Sequence, residues 1–363
     1  MNNFDLGWIK KIERNKVMKI KDRHIGEGYP TYVIAEMSAN HCGSKETAKE
    51  IIYKAKDAGA DCIKIQTYTA DTLTIDCHNS YFDLKEPLWK GQNLYQLYQK
   101  GYMPWEWQPE LKELADKIGI DFFSSPFDHT AVDFLEDMGI EFYKIASFEL
   151  VDIPLIKYIA SKGKPVIMST GMATKEEIRE AVETVKSTGN DQLALLKCSS
   201  AYPAITDDMN LCTMLDMKES FGVPAGLSDH SLGHLGAVTA VAMGASIIEK
   251  HFCLVRECDS PDSAFSMTPA EFKEMVTAIR QVEMAKGKIS YGSSPQEKNN
   301  VDFRRSLFVT KNVKKGEIFT KENLRSIRPG YGMHTRHYEE LLGKKASVDI
   351  EMGTPMSWNF VEK

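Results

Sequence analysis

Two histidines end two successive apolar, strand-like stretches of this chain. His230 lies in "GLSDHSLG" (226–233) and His251 in "SIIEKHF". Ser228 and His230 are two residues apart and share a face of an extended strand, as do Glu249 and His251. The histidines are separated by 21 residues (251 − 230), the length of one strand–helix unit. Adjacent parallel strands lie ~4.8 Å apart, so both imidazoles can reach one metal ion. Two protein ligands leave most of the coordination sphere open to water and to a substrate oxygen, as Lewis-acid chemistry requires. The alternative for any lone histidine is a core or surface residue, and His24, His41, His78, His129, His234, His334 and His337 are read that way.

Two lysines sit inside otherwise apolar stretches: Lys64 in "CIKIQTY" (62–68) and Lys144 in "FYKIAS" (142–147). A lysine there is costly unless it meets an anion. A structural ion pair with a glutamate of the same sheet is one reading of each. Hydroxyls crowd the neighbouring stretch ends: Ser124 and Ser125, Ser147, Ser169 and Thr170, Ser199 and Ser200, Ser228. Lysines plus hydroxyls describe a site for a small, multiply charged anion, and a phosphate with a carboxylate fits. Glu36, Gln66, Glu149 and Tyr202 fall at the same ends.

These residues need a scaffold that collects strand ends. Eight short β-rich runs recur, at 32–38, 62–68, 121–127, 142–147, 165–170, 193–200, 224–230 and around His251, with helix-like segments between them. "TKEEIREAVETVKSTGN" (174–190) has helical apolar spacing, and its Thr174 and Glu177 form a capping-box pair. Eight such units over roughly 250 residues match a (β/α)8 TIM barrel, an α/β fold whose active site lies at the C-terminal strand ends. A doubly wound sheet is the alternative, but no GxGxxG follows the first strand. The barrel is assigned to 1–285, with an N-terminal extension (1–30) and an insertion (70–107). That insertion holds Trp89, Tyr95, Tyr98, Tyr102, Trp105 and Trp107, read mainly as packing and secondarily as a wall or lid over the mouth. A polar Gly/Ser-containing linker (286–302) leads to a small β-rich domain (303–363). There "VKKGEIFTKENL" (313–324) echoes "IEMGTPMSWNFV" (350–361), which implies internal pseudo-symmetry.

Composition excludes several functions. The 363 residues are 42% hydrophobic and 26% charged, with net charge −6, so no basic field attracts nucleic acid or anionic lipid. No apolar run approaches the ~18 residues of a membrane-spanning helix, and no secretory signal is legible at the start. Seven cysteines without paired spacing read as free thiols in a reducing, cytoplasmic compartment.

Ordered blocks along the chain carry a resemblance: "IAEMSANH", "IKIQTYTADTL", "FFSSPFD", "KIASFEL", "VIMSTGMAT", "KCSSAYPA", "GLSDHSLG", "IIEKHF" and, near the end, "IRPGYG". They resemble the sialic acid synthase family and its antifreeze-like (SAF) C-terminal domain. "LWKGQNLYQLYQKGYMPWEW", "FSSPFD" and "RRSLFV" are similar to the pseudaminic branch rather than the neuraminate branch. The resemblance implies metal-dependent condensation of phosphoenolpyruvate with 2,4-diacetamido-2,4,6-trideoxy-altrose, giving pseudaminic acid and phosphate with cleavage of the C–O bond. By motif position, Lys64, Ser125, Lys144, Ser147, Ser169, Ser200 and Ser228 would hold phosphoenolpyruvate. His230 and His251 would bind the metal, expected as Mn²⁺ with Co²⁺ or Mg²⁺ as alternatives. Gln66, Tyr202 and Asp262 would contact the sugar. Arg328 would reach a sugar in the partner subunit of a domain-swapped homodimer. Glu36 and Glu149 are the proton-transfer candidates. Ser200, where the neuraminate branch has Asn, and Arg304, where it has an aromatic, depart from that branch near the substrates. The rival readings are a synthase for N-acetylmannosamine or a legionaminate precursor, a pyruvate aldolase, and a non-catalytic carbohydrate-binding protein. Surface-glycan or flagellin modification is the expected end use.

Overall fold

The computed structural model describes residues 17–84, 91, 93–258 and 260–363. The first part of the N-terminal extension, and Trp89 of the insertion, lie outside the described residues. The chain forms two compact units, one ending at Gly287 and one spanning Lys288–Lys363.

The first unit opens with a hairpin, β1 (Met18–Ile20) and β2 (Arg23–Ile25). Eight strands follow: β3 (Tyr32–Glu36), β4 (Cys62–Thr67), β5 (Asp121–Pro126), β6 (Tyr143–Ile145), β7 (Val166–Ser169), β8 (Leu193–Cys198), β9 (Ala225–Asp229) and β10 (Ile247–His251). They form a closed parallel barrel in sequence order, sealed by β10 pairing with β3. Around it run α1 (Lys45–Asp57), α4 (Gln108–Ile118), α5 (His129–Asp137), α6 (Ile153–Ser161), α7 (Lys175–Ser187), α8 (Cys212–Phe221), α9 (Leu235–Ala242) and α10 (Pro269–Lys286). The insertion after β4 adds the short α2 (Ala70–Leu73) and α3 (Leu94–Gly101). Helix α7 begins at Thr174 with the reciprocal Thr174–Glu177 capping box that its sequence predicts.

Side-chain alternation sorts the barrel strands. Outward residues such as Val33, Ile63 and Ile248 join the helices in one large core. Inward residues of the lower strands, among them Ile34, Phe123, Phe142 and Ile247, form a second core with Met18, Ile20 and Ile25 of the hairpin. The hairpin therefore plugs the barrel floor. Burying each such Phe or Ile stabilises the fold by roughly 1.5–3 kcal/mol. Above this apolar plug the same inward positions turn polar, and there the site begins.

The second unit pairs β11 (Ser306–Val309) with β12 (Leu324–Ile327) around a core that includes Phe319, Leu341 and Met356. Its internal echo is structural. Val313 and Ile350, equivalent positions of the two repeats, exchange backbone bonds of 2.9 and 2.8 Å. The Ile318–Lys345 bridge has its counterpart 37 residues away (355 − 318) in Phe308–Pro355. The two halves pair about a pseudo-two-fold axis. The segment read as a linker falls mostly within this unit and carries a 3-10 helix, Lys298–Phe303.

The free-thiol reading needs correction. Cys42 and Cys258 are disulfide-bonded across 216 residues. Cys42 follows β3 and Cys258 follows β10, and these strands are hydrogen-bonded neighbours where the barrel closes. Closure brings the two loops together, which sequence spacing does not reveal. Cys62, Cys77, Cys198, Cys212 and Cys253 are free.

Candidate active site

The inward face at the C-terminal end of the barrel carries Glu36, Lys64, Gln66, Ser125, Lys144, Ser169, Ser228, Glu249 and His251, all on β3–β7, β9 and β10, with His230 one residue beyond β9. Glu249 is the centre of the charged layer. Its Oε1 lies 2.9 Å from Lys64 Nζ and 4.0 Å from Lys144 Nζ, and it accepts from Ser228 Oγ at 2.9 Å. Lys64 also pairs with Glu36 at 3.2 Å. Lys144 donates to Ser169 Oγ at 2.6 Å and to the Ile145 carbonyl at 3.0 Å. The ion-pair reading of the lysines holds: both are paired within the barrel, beside the hydroxyls of Ser169 and Ser228.

The electrostatics follow from burial and neighbours. Burial raises Glu36, with like-charged Glu249 adding to it and Lys64 opposing. Burial also acts upward on Glu249, but Lys144 and Lys64 outweigh it and keep this carboxylate ionised. Burial lowers Lys64, yet Glu249 and Glu36 outweigh that and raise it. Burial pulls Lys144 down to about 8, because Glu249's attraction is partly cancelled by Lys64. The layer holds one firmly charged lysine and one whose charge is loosely held, the one an incoming anion would restore.

Above it stand the histidines, their ring centroids 5.2 Å apart. His230 Nδ1 lies 3.0 Å from the Ser199 carbonyl. That contact assigns the proton to Nδ1 and leaves Nε2 with its lone pair. Burial lowers His230, but Cys198 and the Ser199 carbonyl outweigh it and raise it overall. Burial, reinforced by His230 and Lys64, holds His251 well below its usual range, in the neutral form. The buried Nδ1 of His251 has no hydrogen-bond partner. Among the described residues no group of three or more His, Cys, Asp or Glu side chains could hold a metal ion. The two imidazoles are the nitrogen donors that stand together here.

Other expected residues surround this centre. Ser125 Oγ is buried and unpartnered. Ser147 Oγ accepts from Gly171 N at 3.1 Å. A Cβ at Gly171 would fall 2.1 Å from Ser200 Oγ and 2.8 Å from Ser147 Oγ, so only glycine lets the loop after β7 approach these hydroxyls. Gln66 donates to Glu36 Oε1 and Ser38 Oγ, each at 3.0 Å, and Ser38 in turn donates to Asp262. Tyr202 packs on His230 at 4.5 Å between centroids. Glu149, on the 3-10 helix Ser147–Val151, is raised to about 7 by burial, and its Oε2 has no partner. Arg328 is exposed on the C-terminal unit, directly after β12.

Sequence reasoning missed three contributors. Spacing pairs Glu249 with His251 but does not show its place between the lysines. Cys198 shares the inward parity of β8 and lies 3.8 Å from His230 Nδ1 and 3.7 Å from Ser200 Oγ. Its thiol falls to about 7, because His230 and the nearby hydroxyls outweigh burial. Ser38, in the 3-10 helix Ser38–His41, links Gln66 to Asp262. Of the insertion's rings, Trp105 packs on Phe134 and bonds the Tyr68 carbonyl, whereas Tyr98 lines the cavity over the site.

Fold and site define a TIM-barrel protein whose strand ends gather two buried lysines, two glutamates and a pair of histidines. The NeuB family profile matches residues 51–291, and the SAF domain profile matches 304–362; the chain belongs to the NeuB family. It is 49% identical to the pseudaminic acid synthase of Campylobacter jejuni strain 81-176, over 89% of this chain and 94% of that protein. It is 44% identical to the pseudaminic acid synthase of Helicobacter pylori, over 92% and 98%. Among solved structures, N-acetylneuraminic acid synthetase from Leptospira borgpetersenii in complex with citrate superposes with a TM-score of 0.71 at 31% identity, covering 80% of this chain and 96% of that one.

Proposed function

We propose that this enzyme condenses phosphoenolpyruvate with 2,4-diacetamido-2,4,6-trideoxy-altrose to give pseudaminic acid and phosphate. The observation that carries the reading is the charged layer: Lys64, Lys144 and Ser228 converge on the buried Glu249 carboxylate, and Lys144 also donates to Ser169, beside His230 and His251. Relatives that match over nine-tenths of the chain and bear that activity in their names support it.

In this mechanism Lys64, Lys144, Ser125, Ser147, Ser169, Ser200 and Ser228 hold the phosphate and carboxylate of phosphoenolpyruvate. Gln66, Tyr202 and Asp262 orient the sugar with its aldehyde toward the histidines. A divalent cation on His230 and His251, Mn²⁺ in this proposal, would supply Lewis-acid polarisation of that aldehyde. C3 of phosphoenolpyruvate attacks the aldehyde carbon, forming the new C–C bond as the carbonyl pair moves onto the aldehyde oxygen, and leaving positive character at C2. Water adds to C2, and Glu149, poised near neutrality with a free oxygen, takes one of its protons and passes it to the sugar oxygen. The tetrahedral carbon then expels phosphate by breaking the C2–O bond as its new hydroxyl gives its remaining proton to the leaving phosphate and becomes the ketone, and the lysines stabilise the departing charge. Arg328 closes the sugar site of a partner subunit in a homodimer, and the enzyme works on the cytoplasmic pool of phosphoenolpyruvate.

The test is phosphate release from phosphoenolpyruvate with Mn²⁺, comparing the altrose-derived sugar with N-acetylmannosamine and the diacetamido-mannose. Turnover with the first alone is expected. Turnover confined to another sugar would overturn the substrate assignment, and no release with any of them would overturn the condensation.

A further inference from the structure

The cavity over the strand ends encloses about 370 Å³ and has two unlike sides. Its floor is polar and belongs to the site already described: Gln66, Glu149, His251 and Asp262. Its apolar lining comes from Phe127 and Phe148 of the barrel loops and, across the insertion, from Leu73 of α2 and Leu94, Leu97 and Tyr98 of α3. On α3 the residues 94, 97, 98 and 101 follow helical spacing and form one stripe. In an ordinary surface helix such a stripe is buried in the core. Here its leucines remain half-buried and face the cavity.

The helix is held in that position. Asn93 caps it by accepting from Gln96 N at 2.8 Å, with Gln96 returning a bond to Asn93 N. At the other end Gly101 allows close docking, since a Cβ there would lie 3.1 Å from Tyr68 Oη and 3.8 Å from Pro261 Cγ. Tyr98 and Tyr68 meet edge to face at 5.9 Å, and Tyr68 meets Phe127 at 5.3 Å. An apolar surface fixed opposite a polar floor is built for a ligand with one polar end and one apolar end.

We infer that Leu94, Leu97 and Tyr98 form a specificity wall that receives the C6 methyl group of a 6-deoxy sugar and disfavours a sugar with a hydroxyl there. This rests on the proposed function for the 6-deoxy sugar and for its direction in the site. The aldehyde carbon must meet phosphoenolpyruvate at the floor, so C6, the far end of the open chain, falls at the wall. A C6 hydroxyl would lose water against Leu94 and Leu97, whose side chains offer it no hydrogen-bond partner. A hydrophobic site discriminates against an added hydroxyl by up to about 100-fold, and that sets the ceiling of the effect.

The test compares the 6-deoxy diacetamido sugar with its 6-hydroxyl counterpart in the wild-type enzyme, Leu97→Ser and Leu97→Met. The wild type should favour the 6-deoxy sugar by roughly 10–100-fold in kcat/KM. Leu97→Ser should bring the ratio near unity while KM for phosphoenolpyruvate stays unchanged, and Leu97→Met should keep the preference. Saturation-transfer NMR with the 6-deoxy sugar alone provides a readout free of catalysis. The C6 methyl protons should take up saturation most strongly in wild type and Leu97→Met, and lose it in Leu97→Ser. Turnover with no preference, or a ratio indifferent to Leu97→Ser, overturns the wall and leaves the condensation standing. The expected saturation pattern without any turnover supports the wall and overturns the condensation.

Discussion

Replacing Lys144 by Met should cost function without costing stability. Lys144 is fully buried, and burial brings its ammonium from 10.5 down to about 8 even with Glu249 nearby. At ~1.36 kcal/mol for each pH unit of that drop, carrying the charge costs the fold roughly 3 kcal/mol at pH 7. The folded value lies below the unfolded one, so this cost is present in full below about 8 and disappears as pH rises toward 10.5. Methionine removes the cost and fills a similar space. It also deprives Ser169 Oγ and the Ile145 carbonyl of their donor, at about 1 kcal/mol each. The net is a gain of about 1 kcal/mol, a Tm higher by about 1–2 °C for a chain of this length. Function moves the other way. A charge-assisted hydrogen bond to the anion is worth about 1.5–3 kcal/mol, so kcat/KM for phosphoenolpyruvate should fall roughly 10- to 150-fold, with KM for the sugar unchanged. Coupled phosphate-release kinetics and thermal denaturation at pH 7 measure both. A variant that loses several degrees of Tm yet keeps its kcat/KM would refute the reasoning, because Lys144 would then be a structural cation rather than an anion ligand.

Further outcomes follow from the same site. The pH profile of kcat/KM for phosphoenolpyruvate should fall on the alkaline side near 8 as Lys144 loses its proton, and on the acid side near 7 as Glu149 gains one; initial-rate measurements should show the alkaline limb vanish in Lys144→Met and the acid limb in Glu149→Gln. Cation affinity, read by calorimetry with Mn²⁺, should rise with pH as His230 gives up its proton, and His251→Ala should abolish it. Cys42→Ser should lower Tm, since a disulfide closing 216 residues contributes up to about 5 kcal/mol; dithiothreitol should destabilise the wild type and leave the variant unmoved.

Much of this site is legible in the sequence because a barrel strand has a period of two. Once the strand around Lys64 is recognised, Cys62, Lys64 and Gln66 must share a face. The same parity carries Glu36, Ser125, Lys144, Ser169, Ser228 and His230 to the same interior. The rule fails where closure matters more than local spacing. Cys42 and Cys258 meet because β10 pairs with β3. Glu249 joins Lys64 and Lys144 from strands far apart in the chain. Cys198 shares the inward parity, but the hydroxyls beside it mask the signal. The hairpin of Met18, Ile20 and Ile25 is too short to announce itself, and its task of plugging the floor emerges only when the barrel stands above it. The insertion misled through its aromatics. Trp105 and Trp107 attract attention but pack inward, while the plainer leucines of α3 face the cavity.

In the proposed mechanism two histidines hold a cation over an anion cradle made by two lysines. Anomalous diffraction from crystals soaked with Mn²⁺ and phosphoenolpyruvate locates both groups. An anomalous peak bonded to His230 Nε2 and His251, with the phosphoenolpyruvate anion contacting Lys64 and Lys144, is expected. A well-occupied Mn²⁺ away from both histidines, or phosphoenolpyruvate bound without either lysine, would contradict it.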